Sequence, residues 1–167
     1  MQLKALKYTR LVSVFLLFLT IANSGFSQSS VKQEKMAQLS FMVGDWVGTS
    51  KTIKNDSVVS EVPALQKIKY DLNKHIIIID LRSETLQLHT IIYFDEKKRK
   101  YMYHPFSEGG TGQLPAELID GQLIVYASKD RRYIFSAKDK NGFQEYGERL
   151  VDGKWERYFE DNFTNSQ

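Results

Sequence analysis

The sequence predicts an all-β protein: an antiparallel up-and-down β-barrel of about 8–10 strands with a short N-terminal helix. From Gly44 onward, short runs rich in Ile, Val, Tyr, Phe and Thr recur about every 10–12 residues, as strands do in a meander. Turn residues separate these runs, and Asp-Gly at 120–121 and 152–153 is a strong signal for a two-residue hairpin. A meander of this length is expected to close on itself, because closure removes its exposed edges.

The predicted elements follow in order along the chain. Val31 to Met42 carries a loose amphipathic pattern, which predicts a helix that closes one end of the barrel. The later runs predict strands, because half-buried strands place apolar side chains at every second position. The Gly-rich run 108–112 lacks the lysine of a phosphate-binding loop, which favours a loop at the mouth of the barrel. The predicted strands are 46–54, 58–72, 75–82, 86–95, 99–107, 111–119, 122–128, 131–138, 142–151 and 154–164.

The composition of the chain limits its partners. With 167 residues, a single domain is expected over residues 28–167, and the absence of cysteine excludes disulfides and thiolate metal sites. The net charge of +3 comes from Lys4, Lys7 and Arg10, since the remaining residues hold 20 basic and 20 acidic side chains. A nucleic-acid-binding domain needs a basic surface, so no nucleic acid partner is expected.

Residues 1–27 have the pattern of a secretory signal peptide. They contain three basic residues, no Asp or Glu, and the apolar run Leu11–Ala22, which is followed by small residues. The run has 12 residues, fewer than the roughly 20 that a membrane-spanning helix needs. Cleavage is expected after Ser27, with Ser24 as the alternative, and an uncleaved N-terminal anchor is the other interpretation. We therefore expect an exported protein, periplasmic or secreted, with no membrane span after signal removal and no lipid-modified cysteine.

The motif Gly44-Asp45-Trp46 marks the start of the first predicted strand. The helix, this motif and the following meander together resemble the calycin superfamily, which includes lipocalins, fatty-acid-binding proteins and nitrobindin-like barrels. The chain is most similar to exported bacterial lipocalin-like domains of unknown function. The resemblance implies that Gly44 lets the chain turn into the barrel and that Trp46 plugs its floor. It also implies a basic side chain stacked on the Trp46 ring, supplied by Arg149 or Arg157.

The same resemblance raises the question of haem, which some nitrobindin-like members bind. Their motif Gly-x-Trp-x-Gly-x-Gly is incomplete here, because Ser50 stands in place of the last glycine. No histidine follows His104 to serve as the axial ligand, and no cysteine, or methionine after Met102, can replace it. No haem and no other cofactor are expected.

The hairpin at Asp152-Gly153 divides the last two strands into two faces. A two-residue loop sets Glu148 opposite Arg157 and Tyr146 opposite Phe159, on the more aromatic face. On this face Glu148, Arg157, Gln144 and Asp161 are predicted to point into the barrel, where they anchor the polar head of an apolar ligand. The alternative is that this face is exposed to solvent and carries ordinary surface ion pairs. The same register predicts four further pairs: Gln144 with Asp161, Leu150 with Trp155, Arg149 with Glu156, and Glu145 with Glu160.

Three histidines are predicted to share one face of the sheet. The predicted loops set Ile79 opposite His89. They place His104 diagonally across from His89, roughly 7–8 Å away, which is close enough for a shared ligand. His75 lies roughly 13 Å from His89, so the three histidines cannot bind one metal ion. No third ligand is evident beside His89 and His104, and no metal site is expected. Histidines scattered over the sheet are the alternative interpretation.

These patterns favour a binding function. The nine tyrosines suit a cavity for a mostly apolar molecule, because each combines an apolar ring with a polar hydroxyl. We expect an exported, non-catalytic, lipocalin-like protein that binds a small hydrophobic or amphipathic ligand. The alternatives are a hydrolase or isomerase that uses a His pair or a Glu–Arg pair, and a filled structural barrel that acts through protein contacts. The candidate ligand-binding residues are His89, His104, Tyr103, Tyr146, Glu148, Arg157 and Phe159, and those for closing the barrel are Gly44, Trp46 and Arg149.

Overall fold

The computed structural model describes residues 30–139 and 141–167, so the predicted signal peptide lies outside the described residues. The helix α1, Val31–Ala37, begins with a capping box. The Ser30 hydroxyl accepts a hydrogen bond from the Gln33 backbone N–H, and the Gln33 side chain accepts one from the Ser30 N–H. A 3-10 turn, Ser40–Met42, follows. None of the helices in the described part of the chain combines the length and apolar character that a membrane span requires.

Eleven strands follow the helix. The predicted strand 111–119 is divided in two, because Thr111 folds back onto the preceding strand and its hydroxyl donates to Pro105 O at 2.8 Å. The strands are β1 Gly44–Lys54, β2 Ser57–Asp71, β3 Ile76–Ser83, β4 Gln87–Asp95, β5 Lys100–Ser107, β6 Gly110–Thr111, β7 Leu114–Ile119, β8 Gln122–Ser128, β9 Arg131–Ala137, β10 Gly142–Val151 and β11 Lys154–Asn165.

Ten of these strands form a closed antiparallel barrel, which confirms the predicted fold. Each strand pairs with the next along the chain, except that β5 pairs with β7 and the two-residue β6 lies at the edge of β5. Pairing of β11 with β1 closes the sheet. The Asp-Gly hairpins are also confirmed: φ is 50° and 77° at Asp120 and Gly121, and 49° and 79° at Asp152 and Gly153, as a type I′ turn requires.

The helix covers one end of the barrel, which we call the closed end. Tyr101 Oη donates to Lys35 O at 2.8 Å and Tyr70 Oη donates to Met36 O at 3.2 Å, so two tyrosines of the barrel hold α1 in place. Trp46 Nε1 donates to Met42 O at 2.8 Å. The opposite end, which we call the open end, carries the turns 55–56, 84–86 and 152–153.

The closed end is filled by its own side chains. The Trp46 ring packs on Phe143 with ring centroids 5.3 Å apart, and Phe143 in turn stacks on Phe135 and Phe163. Arg149 and Arg157 lie towards the open end, so the ring that packs on Trp46 is an aromatic one and not the basic group that the resemblance implies.

A β-bulge changes the predicted register of the last hairpin. Near the turn the predicted pairs are confirmed, including Glu148 with Arg157. Between Gly147 and Glu148 the register shifts by one residue, because Tyr158 is an extra residue on β11. The predicted pairs beyond the bulge are therefore wrong. The observed pairs there are Tyr146 with Glu160, Glu145 with Asp161, Gln144 with Asn162, and Gly147 with Phe159.

Gly147 is the residue that makes the bulge possible. A Cβ atom at this position would lie 2.2 Å from Phe159 Cε1 and 2.8 Å from Tyr158 Cζ, so two aromatic rings occupy the space above the glycine. Because successive side chains of a strand alternate between faces, the shift places Glu145 inside the barrel and Tyr146 and Glu148 outside it.

The histidine register also differs from the prediction by one residue. The last pair of β3 and β4 is Arg82 with Gln87, so four residues connect the paired positions. Ser83 N–H donates to Leu86 O, and the Ser83 hydroxyl accepts from Leu86 N–H. His89 therefore lies opposite Asp80 and not Ile79. On the other side of β4, His89 lies opposite Phe106 and Ile91 opposite His104, which confirms that His104 is diagonally across from His89.

Candidate functional site

The open half of the barrel contains a cavity of about 510 Å³. It extends from Thr85 and Leu86, in the turn at the open end, down to Glu145 and Asp161 in the middle of the barrel. Leu86 is 44% exposed, whereas Glu145 is 5% and Asp161 3% exposed, so the cavity runs from solvent into a buried floor.

The wall of the cavity is mainly apolar. Strand alternation turns every second side chain inward, and leucines, aromatic rings and a proline occupy these inward positions. Tyr103 and Phe159, two of the predicted ligand-binding residues, are part of this wall. Others that line it are Leu81, Leu88, Pro105, Leu114, Tyr133 and Tyr158.

The floor of the cavity is polar and acidic. Glu145 on β10 lies directly opposite Asp161 on β11. Gln66 on β2 is 3% exposed and donates from Nε2 to Glu145 Oε2 at 3.3 Å. Sequence reasoning did not place these three residues together, because the bulge that turns Glu145 towards Asp161 is not visible in the hairpin pattern. The available signal was Gly147, since a glycine inside a strand often marks a bulge.

Two buried oxygens at this floor have no hydrogen-bond partner. Among the side chains of residues 30–139 and 141–167, Gln66 Oε1 and Asp161 Oδ1 are the buried polar atoms without one. Both are acceptors. An unpaired buried acceptor is costly, by about 1–3 kcal/mol, so such groups mark places where a donor is expected.

Burial changes the protonation of the two carboxyl groups. It raises the pKa of Glu145 to about 8, and the neighbouring Asp161 adds to this effect. Burial also raises the pKa of Asp161, to about 6, although the Ser50 hydroxyl partly opposes the change. The pair therefore keeps its protons to a higher pH than two exposed carboxyl groups would.

Tyrosine hydroxyls surround the acidic pair. Tyr103 is 3% exposed, and its hydroxyl oxygen accepts a hydrogen bond from Thr90 Oγ1 at 3.5 Å. Its ring lies 6.4 Å from that of Tyr133, between centroids. Burial raises the pKa of both Tyr103 and Tyr158 well above the ordinary value. These hydroxyls therefore stay protonated and offer hydrogen bonds at the boundary between the floor and the wall.

The predicted histidines lie on the outer wall of the barrel. Tyr103 and Pro105 both line the cavity, so His104 between them points outward, where its ring stacks on Phe106 at 4.5 Å between centroids. His89 Nδ1 lies 2.7 Å from Asp80 Oδ1, and the His89 side chain is 48% exposed. Neither histidine reaches the cavity.

The predicted Glu–Arg pair also lies outside, together with Tyr146. Glu148 accepts a hydrogen bond from Arg132 Nε at 2.7 Å, and Arg157 pairs with Glu160 instead of with Glu148. The Arg157 guanidinium lies 3.9 Å from the centroid of the Tyr146 ring. The bulge puts Arg157 on the opposite face of β11 from Phe159. Tyr146, Glu148 and Arg157 therefore lie outside the barrel, although Phe159 lines the cavity.

The residues predicted to close the barrel have separate positions. The Trp46 ring folds back over Gly44, where a Cβ atom would lie 3.0 Å from Trp46 Cε2. Arg149 lies near the open end, and its Nη2 is 3.9 Å from Glu156 Oε2. In residues 30–139 and 141–167, no cluster of three or more His, Asp or Glu side chains has the arrangement of a metal site.

Comparison with known proteins does not assign a function, so the function is inferred from the cavity. No protein-family model matches the chain, and no curated protein is significantly similar to it in sequence.

Proposed function

We propose that this chain is an exported, non-catalytic, lipocalin-like binding protein that holds a small amphipathic ligand in the cavity at the open end. The observation that carries the proposal is the cavity itself, with an apolar wall around Leu88 and Leu114 and a buried polar floor at Glu145 and Asp161. Ligand sites of about 300–1,000 Å³ typically combine apolar walls with a few polar groups that fix orientation. The resemblance to the calycin superfamily and the signal-peptide pattern of residues 1–27 support the same proposal.

An enzyme is the second candidate, and one observation favours it. Glu145 and Asp161 lie opposite each other in the cavity and both have raised pKa values, so one can act as an acid and the other as a base, as isomerases and hydrolases require. The catalytic pairs that the sequence predicts for an enzyme, His89 with His104 and Glu148 with Arg157, lie on the outer wall. A filled structural barrel is disfavoured, because only the closed half is filled by side chains.

Binding can be tested with a neutral fluorescent probe, N-phenyl-1-naphthylamine. Saturable binding to the purified protein is expected, and Leu88→Trp should weaken it by about tenfold or more because the larger ring occupies the cavity. Leu65→Trp is the matched control: Leu65 is 55% exposed on β2, and the probe affinity should stay within about twofold. A circular dichroism spectrum checks that each variant is folded, and Leu114→Phe replaces Leu88→Trp if that variant does not fold.

Two outcomes would contradict the proposal. One is the absence of saturable probe binding, and the other is equal affinity in the wild-type protein and a folded cavity variant. Native mass spectrometry of the protein from its own source separates binding from catalysis. A bound molecule that is released unchanged on denaturation supports a binding protein, whereas chemical conversion of that molecule during incubation supports the enzyme.

A further inference from the structure

We propose that the ligand of this cavity is a cationic amphiphile, an organic amine with an apolar body, whose ammonium group lies at the floor beside Glu145 and Asp161. This inference rests on the proposed binding function and specifies the chemical class of the ligand. It follows from three properties of the site: the type of its unpaired atoms, the sign of its charge and the position of its apolar wall.

The unpaired atoms call for a donor. Gln66 Oε1 and Asp161 Oδ1 are both buried acceptors without a partner, and the amide group of Gln66 already uses its Nε2 to donate to Glu145. A ligand carboxylate or phosphate would add further acceptors to this floor. A primary ammonium group has three donors and no acceptor, so it suits a floor whose unpaired atoms are acceptors.

The charge of the floor favours a cation. Among the described residues that line the cavity, Glu145 and Asp161 are the charged ones, and none is a lysine or arginine. The groups around them are hydroxyls, of Ser50, Tyr103, Tyr133 and Tyr158, and Glu160 adds a further negative charge near Asp161. A cation in such a site gains a charge-assisted hydrogen bond, whereas an anion meets like charge.

The apolar wall sets the shape of the ligand. The leucines near the open end, among them Leu86 and Leu88, lie above the acidic floor. An amine that enters through this end can therefore bury an aromatic or aliphatic body against the leucines while its ammonium group reaches the floor. Burial of this body contributes roughly 25 cal/mol for each Å² of apolar surface removed from water.

The test uses three small molecules that share an indole ring and differ in the charge at the end of a short chain. Tryptamine is a cation, tryptophol is neutral and indole-3-propionate is an anion. Competition against the neutral probe should rank tryptamine first, with an affinity at least about tenfold higher than that of indole-3-propionate. Glu145→Gln/Asp161→Asn should reduce this ratio to about one, because the charge is removed.

Glu148→Gln is the matched control for this test. It makes the same change on the same strand, but Glu148 lies on the outer wall and pairs with Arg132, so the tryptamine to indole-3-propionate ratio should stay at the wild-type value. Equal or stronger binding of indole-3-propionate to the wild-type protein would overturn the inference, as would a double variant that keeps the preference for tryptamine. If the neutral probe binds and tryptamine is not preferred, the binding function stands and only the ligand class is wrong. If the probe does not bind, the binding function itself fails.

Discussion

The double variant Glu145→Gln/Asp161→Asn is expected to be more stable than the wild-type protein at pH 8 and about equally stable at pH 4. In the folded chain, burial raises the pKa of Glu145 to about 8 and that of Asp161 to about 6, above their ordinary values of 4.5 and 3.8. The unfolded chain therefore binds fewer protons than the folded chain between about pH 4 and pH 8. The free energy of unfolding consequently falls as the pH rises through this range, and the contribution of the pair is constant above it.

The expected gain at pH 8 is several kcal/mol, since each tenfold difference in proton affinity between the two states corresponds to about 1.4 kcal/mol. The amides also carry N–H donors, which the two carboxylates lack at pH 8. Urea denaturation of both proteins at pH 4, 6 and 8 measures the difference.

The comparison between variants is needed because other carboxyl groups act in the opposite direction. The pKa of Asp95 is lowered by the backbone N–H of Lys98, and that of Asp130 by the Ser128 hydroxyl. These groups stabilise the fold above their unfolded pKa and lose this effect as the pH falls. Glu148→Gln serves as the control: it removes a carboxyl group that pairs with Arg132 outside the cavity, so no gain in stability over the wild-type protein is expected at pH 8. A double variant with the same loss of stability between pH 4 and pH 8 as the wild-type protein would show that the carboxyl pair is not the cause.

Gly48→Ala is expected to destabilise the barrel strongly. Gly48 lies on β1 opposite Phe163 of β11, at the pairing that closes the barrel. An alanine Cβ would lie 1.9 Å from Asn162 O and 2.8 Å from Asn162 C, so the clash is with backbone and cannot be relieved by a side-chain rotation. Overpacking usually costs about 1–3 kcal/mol, and we expect about 3 kcal/mol or more here because the two strands must separate.

Gly112→Ala is the matched control for this prediction. Its Cβ would meet only Leu114 Cδ2, at 3.9 Å, and its stability should stay within about 0.5 kcal/mol of the wild-type value. Thermal and urea denaturation of both variants measure the difference. A Gly48→Ala protein as stable as the Gly112→Ala protein would contradict the close approach of β1 and β11.

The division of the barrel into a filled half and a hollow half connects the fold to the proposed function. Aromatic rings around Trp46 and Phe143 pack the closed end, which gives the domain a core that does not depend on a ligand. The open half can then keep a cavity with an acidic floor. The proposed ligand offsets the cost of burying the carboxyl pair, so stability and binding are expected to be linked at this floor.

Local patterns in the sequence predicted the elements of the fold. Strand alternation, the Asp-Gly turns and the helix before Gly44 specify a closed antiparallel barrel, because periodicity and turn geometry depend on residues close together in the chain. The positions of Tyr103 and Phe159 on the cavity wall agree with the same alternation. The predictions for Tyr146, Glu148 and Arg157 differ from the structure for one reason, the extra residue in β11. It puts Arg157 on the opposite face from Phe159, so these three residues lie outside while Phe159 lines the cavity.

The sequence by itself determined the antiparallel order of the strands and the two Asp-Gly hairpins. The tertiary structure alone decided which carboxyl groups meet. Glu145 faces Asp161 because the bulge at Gly147 shifts one strand by a residue. Gln66 reaches Glu145 because β2 and β10, three positions apart in the sheet, both point side chains into the barrel. A one-residue shift leaves the hydrophobic pattern of each strand almost unchanged, yet it moves every following side chain to the other face. Only closure of the barrel, which fixes all registers together, selects between the two arrangements.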